Sequence, residues 1–178
     1  IGSNSAGKTT LMNTLSGLII DMRIKEKRRG GERITVYGKI FFKGEDITLT
    51  RPSERVKKGI VLCRERHPIF PESDVLQNLQ MAGYLRKRSE IQETISYVFD
   101  LFPALVPLKS RKAGFMSGGE QQMLAVARAL ARDVKLLLLD EPYEGLVPVI
   151  VQEIERTLEE IKEHGMTTII VEQNAIAA

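Results

Sequence analysis

Cysteine and tryptophan are nearly missing from these 178 residues: there is one cysteine and no tryptophan, and aromatic side chains make up 6% of the chain. The lone Cys63 excludes an internal disulfide and suits a reducing compartment. Long apolar runs are missing too. Nothing approaches the roughly 18 consecutive apolar residues of a membrane span, and no stretch reads as a secretory signal, so any work at a membrane goes through partners. A strong excess of one charge is the next absence, since 26 Lys and Arg against 23 Asp and Glu leave +3, with an isoelectric point near 9.0. Much of that excess sits in Arg23 to Arg33, where no aromatic residue is interleaved for base stacking. The run reads as an exposed, mobile, solvated loop rather than a contact for nucleic acid or lipid.

What is present begins at once. A hydrophobic content of 43% is enough for one domain with a real core over residues 1–178, and the alternation of helical and strand-like stretches favours an α/β fold. Gly2-Ser3-Asn4-Ser5-Ala6-Gly7-Lys8-Thr9 fits the G-x-x-x-x-G-K-[ST] phosphate loop. A loop wrapped round a polyphosphate must turn several backbone N–H groups inward, and Gly2 and Gly7 keep side chains out of the way. Lys8 brings a compact positive charge to the β and γ phosphates, and the Thr9 hydroxyl can ligate a bridging magnesium ion. Thr9, Thr10, Leu11, Met12 and Leu15 continue as a helix whose positive end faces the same phosphates, and Gly17 can close it. Such a loop follows a buried strand, of which Ile1 alone stands here, so the chain is expected to be a fragment lacking its first strand.

Further along, Ile34–Tyr37, Lys39–Phe42 and Asp46-Ile47, with a turn at Lys43-Gly44, predict a small antiparallel β add-on. Arg51-Pro52-Ser53-Glu54 opens a short helix that Gly59 ends, and Ile60–Cys63 reads as a buried strand. Residues 72–116 read as a helical subdomain, with Ser89-Glu90-Ile91-Gln92 as a capping box opening one helix and Pro103 and Pro107 stopping it. Ser117 with Glu120 is a second capping box, which places Gly118 and Gly119 in the first turn of a helix and makes a second anion site. Leu136–Leu139 reads as a buried parallel strand, with Asp140 and Glu141 at its carboxyl end, where α/β proteins bind ligands. Asp140 can hold a metal through water, and Glu141 can polarise an attacking water as general base. Pro148 opens a last helix, His164-Gly165 closes it, and Met166–Val171 is the last strand.

Together these motifs resemble the ATP-binding-cassette ATPases over essentially the whole chain: Gly2 to Thr10 as the phosphate loop, Ser117-Gly118-Gly119-Glu120-Gln121-Gln122 as the signature, and Leu136 to Pro142 as the second acidic motif. The resemblance implies a P-loop NTPase fold with a central, mostly parallel sheet, and a head-to-tail dimer with a second ATPase subunit. ATP then lies between the phosphate loop of one chain and Ser117, Gly118 and Gly119 of the other, with Mg2+ at Thr9, Asp140 and Glu65. Glu65 stands where most cassettes carry glutamine, and Gln173 where most carry a switch histidine. Both swaps, with Ile69-Phe70-Pro71 and Val171-Glu172-Gln173-Asn174, are similar to ATP-binding subunits of branched-chain amino acid importers. That implies transmembrane permease partners docking near Ile69 to Val75, and a cytoplasmic, peripheral place on the inner face of the membrane. No nucleic-acid partner is expected. Tyr143-Glu144-Gly145-Leu146 departs from the small residues usual next to the partner's site, and Leu18 to Arg33 is longer than the family pattern. Two other readings are a non-transport cassette acting on nucleic acid or the ribosome through Arg23 to Arg33, and a nucleotide-binding fragment without turnover.

Overall fold

The structure is a computed structural model that describes residues 1–3, 6–64, 69–84 and 87–173. Helix α1 (Lys8–Ser16) starts directly from Gly7 at φ 87° and ends on Gly17 at φ 84°, both in the left-handed region that glycine enters without strain. The chain then turns at once into α2 (Leu18–Arg29). This overturns the loop expected from the basic run. Leu18 to Arg29 contains neither glycine nor proline, carries Asp21 in its first turn and Lys27, Arg28 and Arg29 in its last, and is bounded by left-handed Gly17 and Gly30. Those are helix signals, and the helix dipole favours that charge order.

Strands β1 (Phe41–Phe42) and β2 (Glu45–Asp46) make a minimal antiparallel hairpin around Lys43 and Gly44. Ile34–Tyr37 joins no strand, and Tyr37 stands 90% exposed. Without a neighbour to supply hydrogen bonds or a core to bury one face, β propensity alone does not make a strand. Helix α3 (Pro52–Lys57) leads to β3 (Ile60–Cys63). Helix α4 (Val75–Ala82) opens on a reciprocal capping box between Asp74 and Gln77, which sequence reading passed over. Helix α5 (Arg88–Leu101) opens on Lys87 without a side-chain cap, so the box expected at Ser89 is not made; Ser89 lies inside the first turn. Two 3-10 segments follow, Pro103–Leu108 and Ala113–Phe115. Then come α6 (Gly118–Leu130), β4 (Leu136–Asp140), α7 (Pro148–Glu163) and β5 (Thr167–Val171).

The strands β3, β4 and β5 pair in that order, all parallel, with Ile60 beside Leu136 and Asp140 beside Val171. Alternation along β4 splits its leucines between two cores. Leu138 faces Met12, Ile47, Ile60 and Val171 under α1. Leu137 and Leu139 face the larger core with Met123, Leu124, Ile154 and Ile161 from α6 and α7, and with Val75, Leu79, Ile95 and Val98 from α4 and α5. All three leucines are fully buried, each worth about 2 kcal/mol of transfer. The sheet is therefore sandwiched, and its strand ends are aimed by packing on both faces. Among the described residues no helix is long and apolar enough to cross a membrane.

Candidate nucleotide site

The carboxyl ends of β4 and β5 and the start of α1 meet at one place. Gly2 N donates to Glu172 O at 3.1 Å, which ties the phosphate loop to the end of β5, and Glu141 N donates to Val171 O at 2.9 Å, which ties the end of β4 to the same strand. Side chains then converge. Lys8 Nζ donates to Gly2 O at 2.7 Å and Ser3 O at 2.9 Å, and lies 3.2 Å from Glu141 Oε1, with both side chains about nine-tenths buried. Gln173 Nε2 donates to the other oxygen, Glu141 Oε2, at 2.7 Å. Thr9 Oγ1 donates to Asp140 Oδ1 at 3.3 Å.

Glu141 is held there by an unusual backbone. Its φ of 50° lies in the left-handed region, which costs a non-glycine residue about 1–2 kcal/mol. Strain of this kind concentrates at functional sites, where the surroundings over-determine it. Here the ladder bond to Val171, the ion pair with Lys8 and the amide of Gln173 fix the residue from three directions.

The structure thus brings together Gly2, Ser3, Lys8, Thr9, Asp140, Glu141 and Gln173 from the sequence-predicted set. Ala6 and Gly7 form the turn into α1, and an added Cβ at Gly2 would come within 3.1 Å of Ala6 Cβ. Thr10 is exposed on the first turn of α1. Asn4, Ser5 and Glu65 lie outside the described residues. Ser117, Gly118 and Gly119 stand apart: Ser117 Oγ accepts from Glu120 N, Glu120 Oε2 accepts from Ser117 N, and neither reaches Lys8 or Glu141. Gly118 has open space where a Cβ would be, whereas a Cβ on Gly119 would strike Ile150 of α7 at 2.9 Å. Gly119 is thus also needed to seat α6 on α7. The amides of Gly118 and Gly119 are the first two of their helix and have no carbonyl within it to bond.

Glu172 was not singled out from the sequence. Its carboxylate Oε1 accepts from Tyr143 N at 3.1 Å, and the residue is only 5% exposed. Burial pushes the carboxyl above its ordinary range; the amides of Tyr143 and Gln173 pull it back, and Glu141 and Glu144 repel it further. Burial likewise pushes the Tyr143 hydroxyl up to about 12. No local spacing announces this contact, because Tyr143 and Glu172 meet only when β4 and β5 pair.

A cleft of about 250 Å³ opens beside β3, lined by Leu18, Val56, Leu62, Ala82, Ala125 and Arg128, among others. Arg128 connects that cleft to the turn before α4, with its guanidinium 4.6 Å over the Phe70 ring and its Nε donating to Asn78 O at 3.3 Å. Buried Asn78 in turn bonds both the N–H and the carbonyl of Phe70.

The family model for ABC transporters matches residues 1–144. The chain is 39% identical to the high-affinity branched-chain amino acid transport ATP-binding protein BraG of Pseudomonas aeruginosa, over 98% of this chain and 69% of that protein. It is 36% identical to the probable branched-chain amino acid transport ATP-binding protein LivF of Archaeoglobus fulgidus, over 98% of this chain and 68% of that one. A solved ATP-binding cassette of an ABC transporter in its ADP conformation superimposes with a TM-score of 0.79 at 28% identity, covering 98% of this chain and 68% of that structure.

Proposed function

Because this chain belongs to the ABC transporter family and is a nucleotide-binding ATPase of it, we propose that it couples ATP hydrolysis to import of branched-chain or related amino acids. The observation that carries the proposal is the chain Lys8, Glu141, Gln173, in which both carboxylate oxygens of Glu141 are engaged, at 3.2 Å and 2.7 Å. The phosphate-binding cation, the general base and the switch residue form one connected unit.

In this reading Lys8 and the loop amides bind the β and γ phosphates, the γ-phosphate competing with Glu141 for the ammonium. The Thr9 hydroxyl and Asp140 carboxylate, already hydrogen-bonded to each other, make an oxygen-donor pair that would suit Mg2+. Bound there, Mg2+ would neutralise phosphate charge. Glu141 then takes a proton from the attacking water, the new bond forms at the γ phosphorus, and the bond to the β-bridging oxygen breaks to leave ADP and phosphate. Gln173 cannot titrate; it orients Glu141 and donates to the γ-phosphate.

The amino-acid specificity is supported by relatives named for branched-chain amino acid transport. Residues 1–178 act as one ATPase domain, with 72–116 as its helical subdomain. The cleft beside β3, with Phe70 and Arg128 at its side, receives a transmembrane permease subunit, which keeps the protein peripheral on the inner face of the membrane. A second ATPase subunit binds head to tail.

Uptake of labelled leucine, isoleucine and valine by cells carrying this chain or its Glu141→Gln variant tests the proposal. Glu141→Gln should lower branched-chain uptake and ATP turnover by about 10²–10⁴-fold, while Mg-ATP still raises the unfolding midpoint of the variant. In Lys8→Ala that thermal rise should vanish; a ligand at a hundred times its dissociation constant adds about 2.7 kcal/mol. Unchanged branched-chain uptake in Glu141→Gln would refute the substrate assignment.

A further inference from the structure

Helix α2 carries a dense run of charge, and beyond its first turn it is almost wholly exposed. Ile19 is buried in its first turn, yet from Asp21 to Arg29 every residue is exposed except the half-buried Glu26. A helix of this kind gains little from a core, and its polar surface is open to a partner. Over that stretch Arg23, Lys25, Lys27, Arg28 and Arg29 stand against Asp21 and Glu26, and Met22 and Ile24 are 43% and 38% exposed. Lys25, Arg28 and Arg29 gather with Arg51, from the segment before α3, around a shallow cavity of about 430 Å³ that Asp21 and Ile24 complete. None of these four cations forms an ion pair with a described residue.

We propose that α2 and Arg51 form a docking surface for the anionic phospholipid headgroups of a bilayer. Charge complementarity selects the class, since four cations against the single carboxylate of Asp21 around one concavity leave a positive surface that matches a phosphate-bearing one. The form of the site selects the source. Free phosphate is held by enclosed donors, whereas all four cations here are exposed. Met22 and Ile24 beside them suit the headgroup boundary, while α2 has no aromatic side chain on which a nucleic-acid base could stack. Placement agrees: Leu18, where α2 begins, lines the cleft beside β3. The helix leaves from the rim of the cleft assigned above to the permease, and the orientation of the surface rests on that assignment.

Co-sedimentation of the full chain with vesicles of phosphatidylcholine alone, and with vesicles containing phosphatidylglycerol, tests the proposal without a permease. Binding is expected for the anionic vesicles only, weakening as salt is raised. Each cation near an anionic surface is worth about fivefold, so K25Q/R28Q/R29Q should bind roughly a hundredfold less tightly. R51Q, which leaves α2 unaltered, should lose about fivefold, and R28K/R29K should bind as the parent does. Mg-ATP should raise the unfolding midpoint equally in all of them, so a failure here is distinguishable from failure of the ATPase reading. Equal binding to neutral vesicles, binding to neither, or undiminished binding by both glutamine variants would overturn the proposal. So would tighter salt-dependent binding to duplex DNA or RNA than to anionic vesicles.

Discussion

Glu172 shows how one side chain serves two loops. Its carbonyl receives Gly2 N and its carboxylate receives Tyr143 N, so the phosphate loop and the turn after Glu141 hang from the same residue. Holding that bond with an ion is unfavourable, because the carboxylate is buried beside Glu141 and Glu144 with no cation among the causes that shift it. The folded chain therefore keeps the proton more tightly than the unfolded chain does. A raised carboxyl contributes stability that is fully present below its ordinary value of 4.5 and is lost as pH rises through the folded value. Glu172→Gln retains an acceptor for Tyr143 N and removes the charge. The midpoint of Glu172→Gln minus that of the parent should grow as pH rises from about 4 to 8, measured by thermal unfolding in buffers of equal ionic strength. Parallel curves would show that the carboxylate is not strained.

At the scale of elements, α1 is anchored at both ends, and its far anchor is Arg55. Fully buried, that guanidinium donates to five carbonyls: Thr14 and Leu15 at the end of α1, and Ile47, Thr48 and Thr50 in the segment before α3. A cation at a helix carboxyl end also opposes the dipole charge there. Gly17 is part of the same joint, since a Cβ would lie 2.9 Å from Arg55 Nε. Arg55→Met leaves several buried acceptors unpaired at about 1–3 kcal/mol each. It should lower the unfolding midpoint by about 6–12 °C for a loss near 3 kcal/mol, with nucleotide binding weakened as α1 loosens. A midpoint within about 2 °C of the parent would mean that water replaces the guanidinium without loss. Sequence reading could not find this residue, because five carbonyls from two segments carry no spacing signal. It did find what is local or periodic: the Ser117–Glu120 box, the leucines of β4, the glycine stops at Gly17 and Gly59, and the Gly2–Thr9 loop whose Lys8 and Thr9 meet Glu141 and Asp140. Where it failed, a local rule met a competing one. The basic run looked solvated, and it is, but its residues are good helix formers between two left-handed glycines. Ser89 had the right neighbour three residues on, yet the helix began two residues earlier, with Lys87 at the cap position.

At the scale of the whole molecule, the two proposed anion sites are distinct. Lys8, Glu141 and Gln173 form one connected unit, while the hydrogen bonds of Ser117 stay within its own turn. A single chain that needed both sites for one phosphate would have to move α6 away from α7, where Gly119 sits against Ile150, and out of the core that Met123 and Leu124 share with Leu137 and Leu139. Breaking that core costs about 2 kcal/mol per large side chain exposed, and under the head-to-tail proposal a second copy would supply the missing half instead. Two inactive chains should then rescue each other. Lys8→Ala lacks its own phosphate loop and keeps its signature, whereas Ser117→Arg keeps the loop and blocks its signature. In an equimolar mixture half the dimers are mixed, and each mixed dimer has one complete site, so ATP turnover should return to about a quarter of the parent value per chain if sites act independently. Complementation measured across a range of mixing ratios should peak at equal amounts. If both variants are inactive alone and their mixture recovers no turnover, each chain completes its own site, and the head-to-tail arrangement would have to be abandoned.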